Sequence, residues 1–225
     1  MIKATYVDHM GSDLSVVNSA RVSFGKTSKL VCTNLVLGTY DLSKGDKKLI
    51  NYLAKHKHTS PFGHAFASFH IKAPIFVARQ LVKHKFLRWN EISRRYVDDE
   101  PEFFVPDVWR GRSADKKQGS AGEVELGTLD AAIVSDSPYD ALSAYKALLK
   151  SGAAPEQARM VLPQSTMTEW IWSGSLDAFA AMCKLRCASD TQYETRLVAQ
   201  QIHDIIFPRF PVSWEALVGG EFSVN

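Results

Sequence analysis

The chain has few cysteines and no long apolar run, and each of these absences excludes a class of protein. Cys32, Cys183 and Cys187 are odd in number within 225 residues, which argues against a disulfide framework and for a reducing compartment. No apolar run approaches the roughly 20 residues that span a bilayer, and the N-terminal segment lacks the apolar stretch of a signal peptide. We therefore predict a cytoplasmic protein that has no membrane partner.

Sequence motifs for dinucleotides and metals are also missing. The chain contains neither GxGxxG nor GxxxxGK followed by Ser or Thr, so it has neither the glycine-rich turn of a dinucleotide-binding fold nor a P-loop. Four closely spaced histidines have no cysteine or carboxylate partner at zinc spacing, and we predict no metal site. These histidines are His56, His58, His64 and His70.

The balance of residues fits one globular domain over residues 1–225. Hydrophobic content of 45% and charged content of 23% are usual for a globular protein, and this length allows one well-buried core. The net charge of +3 is too small to indicate a nucleic-acid partner. Basic residues are concentrated locally instead, which suits a small anionic ligand.

Hydrophobic spacing predicts an α+β fold in which helices outnumber strands. The predicted strands cover 2–7, 65–71 and 166–172, and the predicted helices cover 43–54, 74–82, 138–150, 155–162, 175–185 and 190–207. Ser43 and Ser175 are expected to cap helices, and Pro138 is expected to open one. The polar, glycine-rich segment 109–127 is expected to be a mobile loop.

The most informative segment is 78–96, in which many cations accompany one carboxylate. Its charges suit a phosphate, and its amides and hydroxyls suit the edge of a planar heterocycle. The side chains concerned are Arg79, Gln80, Lys83, His84, Lys85, Arg88, Asn90, Glu91, Ser93, Arg94, Arg95 and Tyr96. The second half of the segment is expected to be a loop or an edge strand. None of the cysteines lies here, where a thiolate would be stabilised, so we predict no cysteine nucleophile.

The same segment resembles the signature of the flavin-dependent thymidylate synthases. That signature reads Arg-His-Arg, two residues, Ser, one residue, Asn-Glu, one residue, Ser, one residue, Arg-Tyr, and the frame here runs without a gap from Lys83 to Tyr96. Further likeness lies upstream in HTSPFGHAFASFHIKAPIFVARQ and downstream in ARMVLPQ and LRCASDTQYE. We interpret the chain as a divergent branch of this family. A viral genome is one fitting source, and a viral protein of this kind would act in the host cytoplasm.

The resemblance implies a fold, a reaction and an assembly. The fold is an α+β domain with a central, mostly antiparallel sheet flanked by helices, and the assembly is a homotetramer with sites between subunits. The reaction is the methylation of dUMP to dTMP, with FAD as cofactor and with 5,10-methylenetetrahydrofolate and NADPH as co-substrates.

The resemblance also assigns roles to residues. Nucleotide binding falls to Gln80, Lys83, Glu91, Ser93, Arg94, Arg95, Tyr96, Arg159 and Arg186. Flavin binding falls to His58, Ser60, His84, Lys85, Phe86, Asn90, Glu91, Ser175 and Ala181. Glu91, Ser93 and Arg159 are expected to be catalytic, and Arg159 is expected to stabilise negative charge on the uracil as its carbon 5 becomes nucleophilic.

Departures from the family pattern leave two alternatives open. Lys83 and Lys85 keep the charge of the family's arginines but lose the planar fork, and Arg88 replaces a serine. Arg88 leaves open a related modification of another pyrimidine nucleotide, UMP or dCMP. The second alternative is a nucleic-acid-binding module that stacks bases on the aromatic side chains of the segment, Phe86, Trp89 and Tyr96.

Overall fold

The structure is a computed structural model that describes residues 1–97, 99–113 and 119–219. In chain order its elements are β1 (Lys3–Met10), α1 (Asp13–Arg21), β2 (Val31–Asn34), β3 (Thr39–Asp41), α2 (Lys44–Lys55), β4 (Phe66–Pro74), α3 (Ile75–Leu81), β5 (Leu87–Glu91), β6 (Arg110–Arg112), β7 (Ser120–Glu123), α4 (Thr128–Lys150), α5 (Pro155–Ala158), β8 (Met167–Ser175), α6 (Leu176–Arg186), α7 (Tyr193–Ile206) and α8 (Pro211–Val218). Short 3₁₀ turns cover Val22–Phe24, Ser60–His64 and Arg159–Val161.

Four of the strands form the central sheet, in the order β1-β4-β8-β5, and every neighbouring pair is antiparallel. The two long central strands alternate in burial: Phe69 and Ile71 of β4 are opposite Trp172 and Trp170 of β8, and all four side chains are buried. This period of two is that of a sheet with one face on the core. The predicted α+β fold with an antiparallel sheet is confirmed, and the second half of the basic segment forms the edge strand β5.

Helices cover the buried face of the sheet. Their fully buried side chains include Val16 and Val17 of α1, Ile50 of α2, Val77 of α3, Phe179 of α6, Val198 and Ile202 of α7, and Trp214 of α8. Burying a large apolar side chain contributes about 1.5–3 kcal/mol, so this layer is the main source of the fold's stability.

Two carboxylates near helix ends tie the helical layer together. Asp13 accepts hydrogen bonds from the amides of Val212 and Ser213, each at 2.9 Å, and so satisfies donors at the N-terminus of α8. Asp46 accepts from the hydroxyl of Ser43, from Arg21 and from the hydroxyl of Ser28. Against the effect of burial, these three donors hold the pKa of Asp46 below its usual range. Ser43 caps α2 as predicted, since its hydroxyl accepts from the amide of Asp46 at 3.1 Å.

A smaller apolar cluster lies beside the main core. Leu142 and Tyr145 of α4 pack against Ala158 at the end of α5. Because Ala158 is fully buried there, the 3₁₀ turn that follows it, and that carries Arg159, is held against the body of the protein.

The prediction that Pro138 opens a helix is wrong, because α4 already begins at Thr128 and Pro138 lies inside it. A proline in a helix interior removes the amide that would bond the carbonyl four residues earlier. Here that carbonyl belongs to Val134, and the hydroxyl of Ser137 donates to it at 3.3 Å. A side-chain donor thus replaces the missing amide and lets the helix continue.

The segment 109–127 is not a loop throughout. Its described parts contain β6 and β7, which pair as an antiparallel hairpin with Arg110 opposite Glu123. Residues 114–118 lie outside the described residues, and the mobility of the segment stays a prediction. The helices α1 and α8 and the small hairpin of β2 and β3 were not predicted.

Two features are absent from the described ranges. None of their helices is both long enough and apolar enough to cross a membrane. No group of three or more metal-ligating side chains is found in those same ranges.

Candidate active site

A tight turn joins α3 to β5 and places the cations of the basic segment. Phe86, the residue before β5, has a φ of 65°, a left-handed conformation that costs a non-glycine residue about 1–2 kcal/mol. The turn runs close to Gly174 of β8: a Cβ there would lie 2.4 Å from Cδ2 of Leu87 and 3.0 Å from the carbonyl oxygen of Phe86. Glycine at 174 therefore makes room for the turn.

Strand β5 fixes the position of Glu91. Trp89 lies inward and stacks on Trp170, with ring centroids 4.2 Å apart and an interplanar angle of 19°. Its indole nitrogen donates to Oε2 of Glu91 at 3.0 Å, and the hydroxyl of Thr168 donates to Oε1 at 2.6 Å. Each oxygen of Glu91 therefore accepts a hydrogen bond from a side chain of the central sheet, which fixes the carboxylate in one orientation.

The chain after β5 carries the hydroxyl and arginines of the signature. Oγ of Ser93 accepts from Nε of Arg95 at 3.3 Å, and the Arg95 guanidinium lies 5.0 Å from the ring centroid of Tyr96. Arg94 turns the other way and donates to the carbonyl of Asp99 at 2.7 Å. Arg95 and Tyr96 are exposed, so both remain accessible to a ligand.

A cleft of about 450 Å³ opens between the end of α2, the turn before β5 and the first turns of α6. His84, Lys85, Phe86 and Ala181, all assigned to the flavin, line it together. The rest of its lining is Leu53, Ala54, Lys57, Thr59, Phe62, Asp177, Ala178, Ala180, Lys184 and Leu217. The structure therefore joins segments that are about 100 residues apart in the sequence, with an apolar floor and a rim of cations.

Backbone strain coincides with this cleft. Lys57 and Phe86 have φ angles of 57° and 65°, the positive values among the non-glycine residues of the described chain, and both line the cleft. Phe86 also leaves 84% of its side chain exposed. Strained backbone of this kind persists where the surrounding structure imposes it, and it clusters at ligand sites.

Arg186 connects the cleft to Gln80. Its Nε donates to Nε2 of His84 at 3.0 Å, and its Nη2 donates to the carbonyl of Gln80 at 3.4 Å. Burial, together with the Arg186 guanidinium, lowers the pKa of His84 from 6.5 to about 4. The ring is therefore neutral near neutral pH, and because Nε2 accepts, its proton resides on Nδ1.

Other assigned residues lie outside this group. Arg159 is exposed, and the contact described for its side chain is with the carbonyl of Glu156 at 3.3 Å. His58 is not in the lining of the cleft, although its neighbours Lys57 and Thr59 are, and its ring lies 6.1 Å from that of Tyr52. Ser60 begins the 3₁₀ turn after α2. Two further assigned residues, Asn90 and Ser175, lie on strands of the sheet and not among the residues that line the cleft.

Sequence reasoning missed several residues that hold the site. Thr168 holds Glu91 from the neighbouring strand, and Gln192 accepts from the side-chain amide of Gln80. Gln192 in turn donates to Glu194, which also pairs with Arg110. Gln192 and Glu194 stand in the LRCASDTQYE stretch, so a signal for them was present, whereas nothing in the sequence indicated Arg110 or Thr168.

The cleft fits part of a flavin dinucleotide. Its rim carries Lys57, Lys85 and Lys184 for a pyrophosphate, and Phe86 offers an exposed ring for stacking. The apolar floor suits a flat heterocycle. Cations beside an apolar floor are groups that suit such a cofactor.

The chain is similar in sequence to proteins of one known family. The family model described as "Thymidylate synthase complementing protein" matches residues 5–212. A flavin-dependent thymidylate synthase of Thermus thermophilus is 40% identical over 210 residues, which cover 93% of this chain and 73% of that protein. One of Kosmotoga olearia is 38% identical over 214 residues, which cover 94% and 88%.

A solved structure shows the same architecture. The UMP/dUMP methylase PolB from Streptomyces cacaoi, bound with 5-Br dUMP, is 31% identical, superposes with a TM-score of 0.77 and covers 96% of this chain and 94% of its own. The match of the family model over nearly the whole chain and the shared architecture lead to one assignment. The chain belongs to the family of flavin-dependent thymidylate synthases.

Proposed function

We propose that the chain converts dUMP to dTMP, with 5,10-methylenetetrahydrofolate as carbon donor, NADPH as reductant and FAD as cofactor. The relatives of highest identity described above are flavin-dependent thymidylate synthases, and the solved neighbour is a UMP/dUMP methylase. The sequence relatives favour dUMP over the alternatives UMP and dCMP. A nucleic-acid-binding module finds no support among these comparisons.

The observation that carries the proposal is the contact of Arg186 with His84 and Gln80. It links the Lys83–Tyr96 signature to a segment 102 residues away in the sequence. It also places a nucleotide-binding candidate beside a flavin-binding candidate. The reaction requires such a neighbourhood, because the nucleotide must lie against the cofactor.

The cations and hydroxyls of the signature suit the nucleotide. We assign its phosphate to Lys83, Arg94 and Arg95, which can neutralise its charge, and we assign further contacts to Ser93 and Tyr96. Lys83 and Arg95 are exposed at present. Arg94 already contacts Asp99, so a phosphate must compete with that contact.

Glu91, Ser93 and Arg159 are assigned to polarising the pyrimidine. Glu91 is held by Trp89 and Thr168 at fixed distances, so its carboxylate is preorganised. A guanidinium stabilises negative charge on the ring best if it is already in place when that charge develops. We assign this task to Arg159.

Flavin binding is assigned to the cleft. His84, Lys85, Phe86 and Ala181 line it, and His58, Ser60, Asn90, Glu91 and Ser175 complete the assigned set. When bound, FAD supplies the hydride that the reaction needs. The chain's own task is to hold and orient the ring: neutral His84 accepts from Arg186 through Nε2 and offers Nδ1–H as a donor.

We further propose a homotetramer in the cytoplasm. Arg159 and the signature belong to different parts of the chain, and no contact between them is described within the ranges 1–97, 99–113 and 119–219. A second subunit that supplies Arg159 would complete the site. Free cysteines, among them the exposed Cys32, suit a reducing compartment.

Turnover with purified protein tests the proposal. The protein is incubated with FAD, NADPH, 5,10-methylenetetrahydrofolate and dUMP, and dTMP is measured by chromatography, with UMP and dCMP as comparison substrates. We expect dTMP formation and a flavin spectrum that persists after desalting. Methylation of UMP or dCMP without methylation of dUMP contradicts the substrate, and the absence of bound flavin in the presence of dUMP contradicts the cofactor.

A further inference from the structure

Glu194, near the start of α7, is a buried carboxylate that Gln192 connects to Gln80. It is 5% exposed. One of its oxygens accepts from Nη2 of Arg110, and the other accepts from Nε2 of Gln192 at 3.1 Å. Arg110 is itself fixed, since its Nε donates to Ser120 at 3.0 Å and its guanidinium lies 4.4 Å from the ring centroid of Tyr193.

The contacts continue from Glu194 to Gln80. Nε2 of Gln192 donates to Glu194, and Oε1 of Gln192 accepts from Nε2 of Gln80. Gln80 holds Arg186 through its backbone carbonyl. Its side-chain Oε1 has no hydrogen-bond partner in the contacts described among residues 1–97, 99–113 and 119–219.

The chemistry of these groups permits one polarity. A carboxylate only accepts and a guanidinium only donates, so Gln192 must face Glu194 with its nitrogen. The oxygen of Gln192 then faces Gln80, and Gln80 must donate to it through its side-chain nitrogen. The free end of the Gln80 amide is therefore its oxygen.

We propose that Glu194 is a positioning residue that sets the amide polarity of Gln80 through Gln192, so that Gln80 presents an acceptor oxygen to a hydrogen-bond donor of the nucleotide. The inference deepens the proposed function and rests on it, because that function gives Gln80 its contact with the nucleotide. The donor is either the ring N3–H of uracil, which cytosine lacks, or a hydroxyl of the sugar.

A single isosteric substitution at position 194 is expected to exchange the donor and acceptor ends of Gln192 and Gln80. In Glu194→Gln, Arg110 can only donate, so it takes the oxygen of the new amide at position 194. The nitrogen of that amide then faces Gln192, which turns over, and Gln80 turns over in response. The end that meets the nucleotide becomes an N–H group, and two donors face each other.

A double substitution restores the original polarity. In Gln192→Glu combined with Glu194→Gln, the new carboxylate at position 192 accepts from both neighbours. Gln80 must again donate its nitrogen inward and present its oxygen. The total charge equals that of the wild type, and every group from Arg110 to Gln80 has a complementary partner. A role limited to the ion pair with Arg110 predicts no such rescue.

The amide orientations are measured first, without any nucleotide. Neutron diffraction from deuterium-exchanged crystals distinguishes an ND₂ group from an oxygen. We expect the oxygen of Gln80 to be its free end in the wild type and in the double variant, and the ND₂ group to be its free end in Glu194→Gln. The same orientation in all three proteins overturns the inference.

Calorimetric titration then measures the consequence for binding. Glu194→Gln is expected to bind dUMP about 10–100-fold more weakly, because an unmatched polar pair costs that much affinity, and the double variant is expected to recover most of the loss. Asp46→Asn is the matched control: it also removes a buried carboxylate paired with arginine, but far from Gln80, and should keep wild-type affinity.

Two analogues identify the donor. N3-methyl-dUMP lacks the ring donor, and 2′,3′-dideoxy-UMP lacks the sugar hydroxyl. The analogue that lacks the partner of Gln80 should bind to the wild type more weakly than dUMP does. To Glu194→Gln, that analogue and dUMP should bind with equal affinity. Unchanged dUMP affinity in Glu194→Gln, or no recovery in a folded double variant, contradicts the inference. If the wild type binds no dUMP at all, the proposed function fails instead, and the neutron maps alone decide on Glu194.

Discussion

The C-terminal end of α6 and the turn after α5 each carry an arginine assigned to the nucleotide, and their surroundings differ. Arg186, on α6, is half-buried and donates to His84 and to Gln80 within the same chain, and burial lowers its pKa from the usual value. Arg159 is exposed and contacts the carbonyl of Glu156.

The two arginines differ in whether their partners belong to the same chain. The Arg186 end holds His84 and Gln80 within one subunit, so substitutions there should disturb folding and binding together. Arg159 stands on a turn whose backbone is anchored by buried Ala158, whereas its exposed guanidinium has few partners in its own chain. It should therefore act on a ligand or on a site in another subunit.

The largest effect is expected for Arg159→Lys, which keeps the charge and removes the planar fork. If the guanidinium stabilises charge on the uracil, turnover should fall about 10²–10³-fold, with near-normal melting and retained flavin. Turnover is measured as dTMP formed per site. Arg209→Lys is a matched control, since Arg209 also donates to a backbone carbonyl and has no assigned role. Near wild-type turnover of Arg159→Lys would mean that the assignment is wrong.

Arg186→Lys, unlike Arg159→Lys, is expected to lower the stability of the fold. An ammonium cannot reproduce the two donors that now reach His84 and Gln80, and we expect about 1–2 kcal/mol less free energy of unfolding. Urea unfolding of this variant beside Arg159→Lys makes the comparison direct. Equal stability in both variants would remove the distinction between the two arginines.

A pH dependence should distinguish the Arg186 end further. The folded pKa of His84, about 4, lies below its ordinary value of 6.5, so the unfolded chain binds the proton first as the pH falls. Stability is then lost between about pH 6.5 and about pH 4. Burial lowers the pKa of His203 in the same direction, so the quantity of interest is the difference between wild type and His84→Gln. Parallel melting curves across this range would contradict the prediction.

The smallest effect is expected from the thiols beside Arg186. Cys183 of α6 and Cys187, the residue after α6, flank it. Burial raises the pKa of Cys183, which makes that thiol a poor nucleophile. Replacing Cys32 and Cys187 with Ser and Cys183 with Ala should leave dTMP formation close to wild type in a folded protein. Total loss of turnover with flavin still bound would show that the chemistry of α6 includes a cysteine.

Much of the fold was predictable because local patterns agreed with the tertiary structure. The strands predicted over 65–71 and 166–172 correspond to β4 and β8, and Ser43 marked the start of α2, as its hydroxyl shows. Pro138 failed as a boundary because the hydroxyl of Ser137 supplies the donor that proline lacks, an exchange that no single residue reveals. The hairpin of β6 and β7 was not predicted, because its residues are polar and glycine-rich and hydrophobic spacing does not indicate its pairing.

The part of the candidate site that consists of contiguous residues was predictable from the sequence. The signature placed His84, Lys85 and Phe86 together, and the structure puts all three on one cleft. The residues that position the site were not predictable from one segment, because they come from distant elements. Thr168 reaches Glu91 from β8, and Arg110 reaches Glu194 from β6. Such contacts depend on strand order and loop path, which the sequence does not display.

Gly174 has a consequence for genetics. A Cβ there would lie 3.0 Å from the carbonyl oxygen of Phe86, a backbone atom of the turn, and would also press on the side chain of Leu87. Every single-base change of a glycine codon that alters the residue adds a Cβ. A screen for inactive alleles should therefore recover this codon repeatedly, although residue 174 has no assigned contact with a ligand. Alleles found there report the geometry of the turn before β5 and not a contact of residue 174 with the substrate.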